Sequence, residues 1–220
     1  MNLIKYIIVL FIILSFGYSN KIISDSSFYS YPVDTILSQN NLSFLQRTSI
    51  NFIRGWQTYS YNNPKTNCQF YPSCSNYCAK KIHEHGTIPG LFIGVDRYIR
   101  CNNSAQKNYQ IYSDGYILPE DYRISDNFIP NKIVKKHAKH VFFGMTLSII
   151  PGLGRVYYGQ MADGVNSFKY TTPFILSSYY LHENQNNILS LLTGVVAVIF
   201  WGSDFYGVYN LSKIYRHPSE

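Results

Sequence analysis

Charge is what this sequence has least of. Asp, Glu, Lys and Arg supply 14% of its 220 residues, well below the roughly 25% of an average soluble protein. No run of Lys or Arg reaches five residues. No RNA-recognition signature accompanies the aromatic residues, so the pattern argues against nucleic acid as a partner. Gly152-Leu153-Gly154 lacks the Lys-Ser/Thr of a phosphate loop and follows no strand pattern, which argues against a nucleotide. No Gly-rich oxyanion loop or orienting acid stands at a known spacing from any Cys–His pair, so nothing points to an enzyme. No internal repeat occurs, and no small-molecule substrate or cofactor is implied.

Aromatic residues are abundant instead. Tyr numbers 21 and Phe 14, and such side chains favour the membrane–water interface. The net charge of +7 suits an anionic lipid surface. Residues 1–19 read as an export signal: Lys5 gives a positive start, residues 6–16 are apolar, and Gly17 and Ser19 place small residues at a cleavage site. Retention of this segment as an N-terminal anchor is the alternative. The chain is then expected in the bacterial cell envelope, with membrane lipid as a partner.

The pattern predicts an all-α protein. A small cysteine-containing helical domain, residues 41–125, precedes a hydrophobic membrane segment, residues 141–216. Ser-rich residues 20–40 read as a linker, and residues 126–140 as a basic linker containing Lys132, Lys135, Lys136 and Lys139. Leu42, Leu45, Ser49, Phe52, Trp56 and Tyr59 recur at helical steps and draw one apolar stripe. That stripe lies in a bilayer interface, packs on the next two helices, or does both. Asn62-Asn63-Pro64 stops this helix. Ser73 or Ser75 caps a second helix running to His85, stopped by Gly86, and a third spans 89–100. Residues 102–131 show no period. Arg97 and Arg100 share a face, available to a lipid phosphate or a carboxylate partner.

Three hydrophobic stretches follow, at 141–150, 165–181 and 188–209. The last is the one clearly long and apolar enough to span a bilayer. Between the first two lies Pro151-Gly152-Leu153-Gly154-Arg155-Val156-Tyr157-Tyr158-Gly159, followed by Gly164. It resembles the turn of small transmembrane hairpin domains, where small residues permit close helix contact. Asp204 in the last stretch is expected at the interface, because charge at membrane depth is costly. Cationic residues at both ends of this block favour the cytoplasm for both ends. The export segment and four cysteines favour the exported side for the cysteine domain, and the two assignments conflict.

The four cysteines are Cys68, Cys74, Cys78 and Cys101. In an oxidising compartment they are disulfide candidates. An antiparallel pair of helices puts Cys74 and Cys101 at one open end, with Cys68 close by and Cys78 about 6 Å deeper. Cys101 is expected to pair with Cys68 or Cys74, stapling a small core. The spacing matches no common zinc pattern, and His83 and His85 diverge on a helix, so no metal site is expected.

Cys68-Gln69-Phe70-Tyr71-Pro72-Ser73-Cys74-Ser75-Asn76-Tyr77, then His85-Gly86, then Arg97-Tyr98-Ile99-Arg100-Cys101-Asn102, resembles the membrane protein insertion efficiency factor (YidD-like) family. The likeness covers about residues 45–102. Its signature reads roughly C-R-F-x-P-[ST]-C-S-x-Y, H-G and R-x-x-R-C-N. Gln69 departs from the usual basic residue, and Cys78 is an addition. The resemblance implies a non-enzymatic factor that helps insert membrane proteins beside Sec/YidC-type machinery. Typical members are short, lack an export signal and work from the cytoplasmic face.

Overall fold

The computed structural model describes residues 32–60, 68–105, 123–125 and 139–214. The export segment 1–19, the Asn62-Asn63-Pro64 stop and basic residues 126–138 lie outside them. Two compact units divide the chain, one within Ser19–Val134 and the other containing Lys135–Glu220. Both are helical.

In the first unit, α1 (Pro32–Leu37) and α2 (Phe44–Ser60) precede a helical hairpin, α3 (Cys74–His85) and α4 (Thr87–Arg100). Helix α1 lies in the stretch read as a linker. Its Ser-rich surroundings mask an apolar spacing of Val33, Ile36 and Leu37, which suits one helical face. Val33 is fully buried with Ile50, Ala79 and Ile82, and Ile36, Leu37 and Leu42 pack around them. Helix α2 starts with a reciprocal cap. Ser43 N–H donates to Gln46 Oε1 at 3.0 Å, and Gln46 N–H donates to Ser43 Oγ at 3.3 Å. The Gln46 amide also donates to the Ile82 carbonyl at 2.8 Å, near the C-terminal end of α3. Gln57, one helix length away, donates to Asn76 Oδ1 at 2.6 Å. Two glutamines therefore fix α2 along α3.

Ser73 caps α3 by accepting from Asn76 N–H at 3.4 Å. Gly86 ends it with φ 85°, and α4 begins at Thr87, two residues before the proline expected to open it. Gly90 and Gly94 then let the two backbones touch. A Cβ on Gly90 would overlap Ile82 backbone, and one on Gly94 would overlap Cys78. A two-residue parallel bridge joins β1 (Phe70–Tyr71) to β2 (Ile124–Ser125). Part of the stretch read as irregular thus returns to the domain, with Ile124 fully buried.

In the second unit, α5 (Val141–Leu147) and α6 (Leu153–Tyr157) lead to a long hairpin, α7 (Met161–Glu183) and α8 (Asn187–Ile214). Asn187–Lys213 is, among the described residues, the helix long and apolar enough to cross a membrane. This unit is polar inside and apolar outside. Ser167, Thr171, Ser203 and Asp204 are fully buried, while Ile188, Leu191, Leu192, Val198 and Tyr179 are exposed. Serines join α7 to α8: Ser190 Oγ donates to the Ser178 carbonyl at 2.8 Å, and Ser178 Oγ to the Ser190 carbonyl at 2.9 Å. Phe174 stacks on Phe200 with ring centroids 5.9 Å apart.

Asp204 is fully buried inside this unit. Arg155 Nε donates to its Oδ1 at 2.7 Å, with both side chains fully buried. Gly152 N–H donates to its Oδ2 at 3.0 Å. Gly152 has φ 86° and abuts Gly164, so a Cβ there would strike the Gly164 carbonyl. The turn residues serve this contact: Gly152, Gly154 and Gly164 are buried, Pro151 and Tyr157 are half-buried, and Gly159 turns the chain after α6 with φ 85°.

Two predictions follow from these contacts. Gly94→Ala lowers stability by about 1–3 kcal/mol, whereas Gly55→Ala, at an open helical position, raises it by up to about 1 kcal/mol. Pulse proteolysis of the full chain in detergent measures both, and equal effects would contradict the packing described. Asp204→Ala leaves Arg155 buried without its carboxylate and costs about 3–5 kcal/mol. Arg155→Met with Asp204→Ala restores most of that loss in the same assay.

Candidate functional site

Two features of the first unit stand out: a cluster of thiols at the open end of the α3–α4 hairpin, and an apolar face on α2. The thiols converge because α3 starts at Cys74 and α4 ends one residue before Cys101, so the antiparallel pair brings both to one end. Cys68, upstream of β1, completes the group. Its Sγ lies 3.2 Å from Cys74 Sγ and 3.8 Å from Cys101 Sγ, and all three sulfurs fall within 4.8 Å of one another. All four cysteines are free thiols in this structure. Phe70, Ala105 and Ile124 form an apolar wall around the cluster.

The sulfurs share their protons unequally. Contacts with the thiols of Cys101 and Cys74 hold Cys68 well below the ordinary thiol range. Cys74 N–H adds a hydrogen bond to Cys68 Sγ at 3.1 Å. The contact with Cys101, then that with Cys68, pushes Cys74 up. Cys101 is pushed up chiefly by its contact with Cys68. The thiolate form is thus favoured at Cys68 over its two neighbours, as expected where several acidic groups compete at close range. Cys78 stands apart, packed against Gly94, and burial pushes its thiol up to about 12. His83 and His85, on the last turn of α3, do not join the cluster.

Arg97 departs from expectation. It was expected to offer its charge to lipid or a partner, yet its side chain is fully buried. The guanidinium lies 4.3 Å from the Tyr77 ring centroid and 4.8 Å from that of Phe70, and donates to the Tyr71 carbonyl at 3.2 Å. Two aromatic faces and a carbonyl replace the hydration that burial removes. Arg97 is therefore a core clamp between β1, α3 and α4. Arg100 stays half-buried, donating to Asp96 at 3.0 Å, and is the member of the pair that reaches solvent.

Helix α2 resolves the choice left by its sequence. Leu45, Phe52, Trp56 and Tyr59 point away from the core, with Phe52 78% exposed and Tyr59 62%. Ile50 and Gln57 occupy the buried face; of the stripe, Leu42 packs on the core, while Leu45, Phe52, Trp56 and Tyr59 stay outside it. Trp56 and Tyr59 contact each other at 5.9 Å between ring centroids.

Comparison with known proteins bears on the same region. The sequence model of a family described as "Putative membrane protein insertion efficiency factor" matches residues 45–113. A protein of that name from Thermotoga neapolitana is 35% identical over 65 residues, covering 30% of this chain and 82% of its own length. The chain belongs to this family. A Thermotoga maritima member is 34% identical over 65 residues, covering 30% of this chain and 80% of its own. A Nitrosomonas europaea member is 45% identical over 42 residues, covering 19% of this chain and 61% of its own. No solved structure matches. The family match takes in α2, the three clustered cysteines and Arg97, and ends before the second unit.

Sequence reasoning missed Arg97 as a core residue, although an Arg amid Phe70, Tyr71 and Tyr77 in one motif signals stacking. It also missed the Arg155–Asp204 pair. An acid inside the last apolar stretch and an arginine in the turn between the first two were the available signal, since a buried charge calls for a partner of opposite sign.

Arg97→Lys is expected to lose stacking and the fork geometry, at a cost of about 2 kcal/mol, read by pulse proteolysis of the full chain. Cys78 should resist iodoacetamide in the folded protein at about pH 8.5, where an ordinary thiol is half ionised, and react once unfolded. Its folded form keeps the proton up to about 12. Its stabilising contribution is therefore full below the unfolded pKa and falls as pH rises toward that value. Native-state labelling of Cys78 at the unfolded rate would contradict this placement.

Proposed function

We propose that the chain is a non-enzymatic, membrane-associated factor that assists insertion or assembly of membrane proteins. Family membership carries this reading, since its relatives bear the name of insertion efficiency factors. Three physical observations support the membrane part. The second unit exposes many large apolar side chains while burying Arg155 against Asp204 and pairing Ser178 with Ser190, which suits a hydrocarbon surrounding. Its helix α8 is long and apolar enough to cross a bilayer. In the first unit, Leu45, Phe52, Trp56 and Tyr59 supply an interfacial face with the aromatic composition of membrane-surface helices. Arg100 adds a cation, and Sec/YidC-type machinery is the partner class.

A second reading, an exported envelope protein that reuses the fold, is favoured by the export-like residues 1–19 and the four cysteines. The two differ in place: an insertion factor fractionates with the inner membrane.

Removal of the gene is expected to slow the appearance of newly made membrane proteins in their inserted, protease-protected form. Restoring the wild-type gene should reverse the delay. Unchanged insertion kinetics across the membrane proteome would overturn the proposal. Phe52→Ser with Trp56→Ser should weaken photo-crosslinking of α2 to lipid about tenfold or more, from roughly 1.5–3 kcal/mol lost per side chain. Helix content is expected to stay unchanged.

A further inference from the structure

Cys68, Cys74 and Cys101 come from three separate pieces of chain: the segment before β1, the first residue of α3 and the residue after α4. A disulfide joins two sulfurs and leaves a third without a function in the bond. Here all three converge to within 4.8 Å. Zinc–thiolate bonds of about 2.3 Å hold sulfurs roughly 3.8 Å apart around a tetrahedral ion. The observed 3.2 and 3.8 Å separations need only small side-chain rotations to meet that spacing.

The geometry points to a metal site, with Cys68, Cys74 and Cys101 as three thiolate ligands for a soft divalent cation of the zinc type. Sulfur is the sole donor type in the group, which suits zinc and disfavours magnesium or calcium. The surroundings fit such an ion. Cys74 N–H is aimed at Cys68 Sγ at 3.1 Å, an outer hydrogen bond of the kind that steadies a ligating sulfur. Phe70, Ala105 and Ile124 shield one side. Three thiolates and a divalent ion leave one negative charge, and the buried guanidinium of Arg97 offsets it from beside Phe70. Three thiolates leave a fourth position of the tetrahedron for water. Binding transfers the remaining thiol protons to solvent and moves no electrons, so no oxidant is needed. The ion fastens the open end of the hairpin, while Gly90 and Gly94 close it further along.

The test is titration of the full chain in detergent, reduced and stripped by chelator, with cobalt(II). One equivalent is expected to bind, with thiolate-to-cobalt charge-transfer absorption and intense d–d bands, and zinc should displace it. Cys68→Ser, Cys74→Ser and Cys101→Ser each lose those bands, and Cys78→Ser keeps them. Should a ligand variant fail to fold, alkylation of the wild type decides. Zinc must protect Cys68, Cys74 and Cys101, and chelator must expose them again. Two results overturn the proposal: no thiolate bands in the reduced wild type, or acid-trapped protein from cells in which two of these cysteines are joined by a disulfide.

Discussion

With glycine at 90 and 94, the backbones of α3 and α4 come into direct contact, and the layout of the cysteine domain follows from that approach. Ile82 and Cys78 fill the space that a Cβ would need. Close contact fixes the register of the hairpin, and register places Cys74 beside Cys101. It also sets Arg97 over the Tyr77 ring, where the guanidinium links α4 to α3 and β1. A helix pair separated by ordinary side chains would sit several ångströms wider, since usual interaxial distances are about 8–10 Å. The thiols would then lie out of contact.

The second unit obeys a different constraint. Its buried positions carry Arg155, Asp204, Ser167, Thr171 and Ser203, and its apolar residues face outward. Water would reward the reverse distribution. In hydrocarbon, the cost of a polar group falls when it turns inward and pairs, as Arg155 does with Asp204 and Ser178 with Ser190. Burial of a charged pair stabilises little by itself. It does specify one arrangement of α6 against α8, because any slip separates the charges.

Much of this was legible in the residues. Periodicity gave α2 and its stripe, Ser73 and Gly86 marked the ends of α3, and the length of the last apolar run gave α8. The meeting of Cys74 with Cys101 needed only an antiparallel pair of nearly equal arms. What stayed hidden depended on neighbours distant in sequence. Arg97 reads as a surface cation until Phe70 and Tyr77 are placed around it. Helix α1 reads as a linker because its three apolar residues are diluted by serines and depend on Ile50 and Ile82 for cover. The convergence of Cys68 with this pair was legible too, but its 3.2 and 3.8 Å separations were not, because they depend on how β1 folds against the hairpin.

Glycine contact between α3 and α4 brings sulfur atoms from distant positions within reach of one another. A short bifunctional thiol reagent tests it directly in full-chain variants that keep only two cysteines. The account predicts fast intramolecular linkage of Cys68 to Cys101, none between Cys78 and Cys101, and loss of the first linkage when Gly94→Leu forces the helices apart. Equal linkage of both pairs, or linkage that persists in the Gly94→Leu protein, would contradict it.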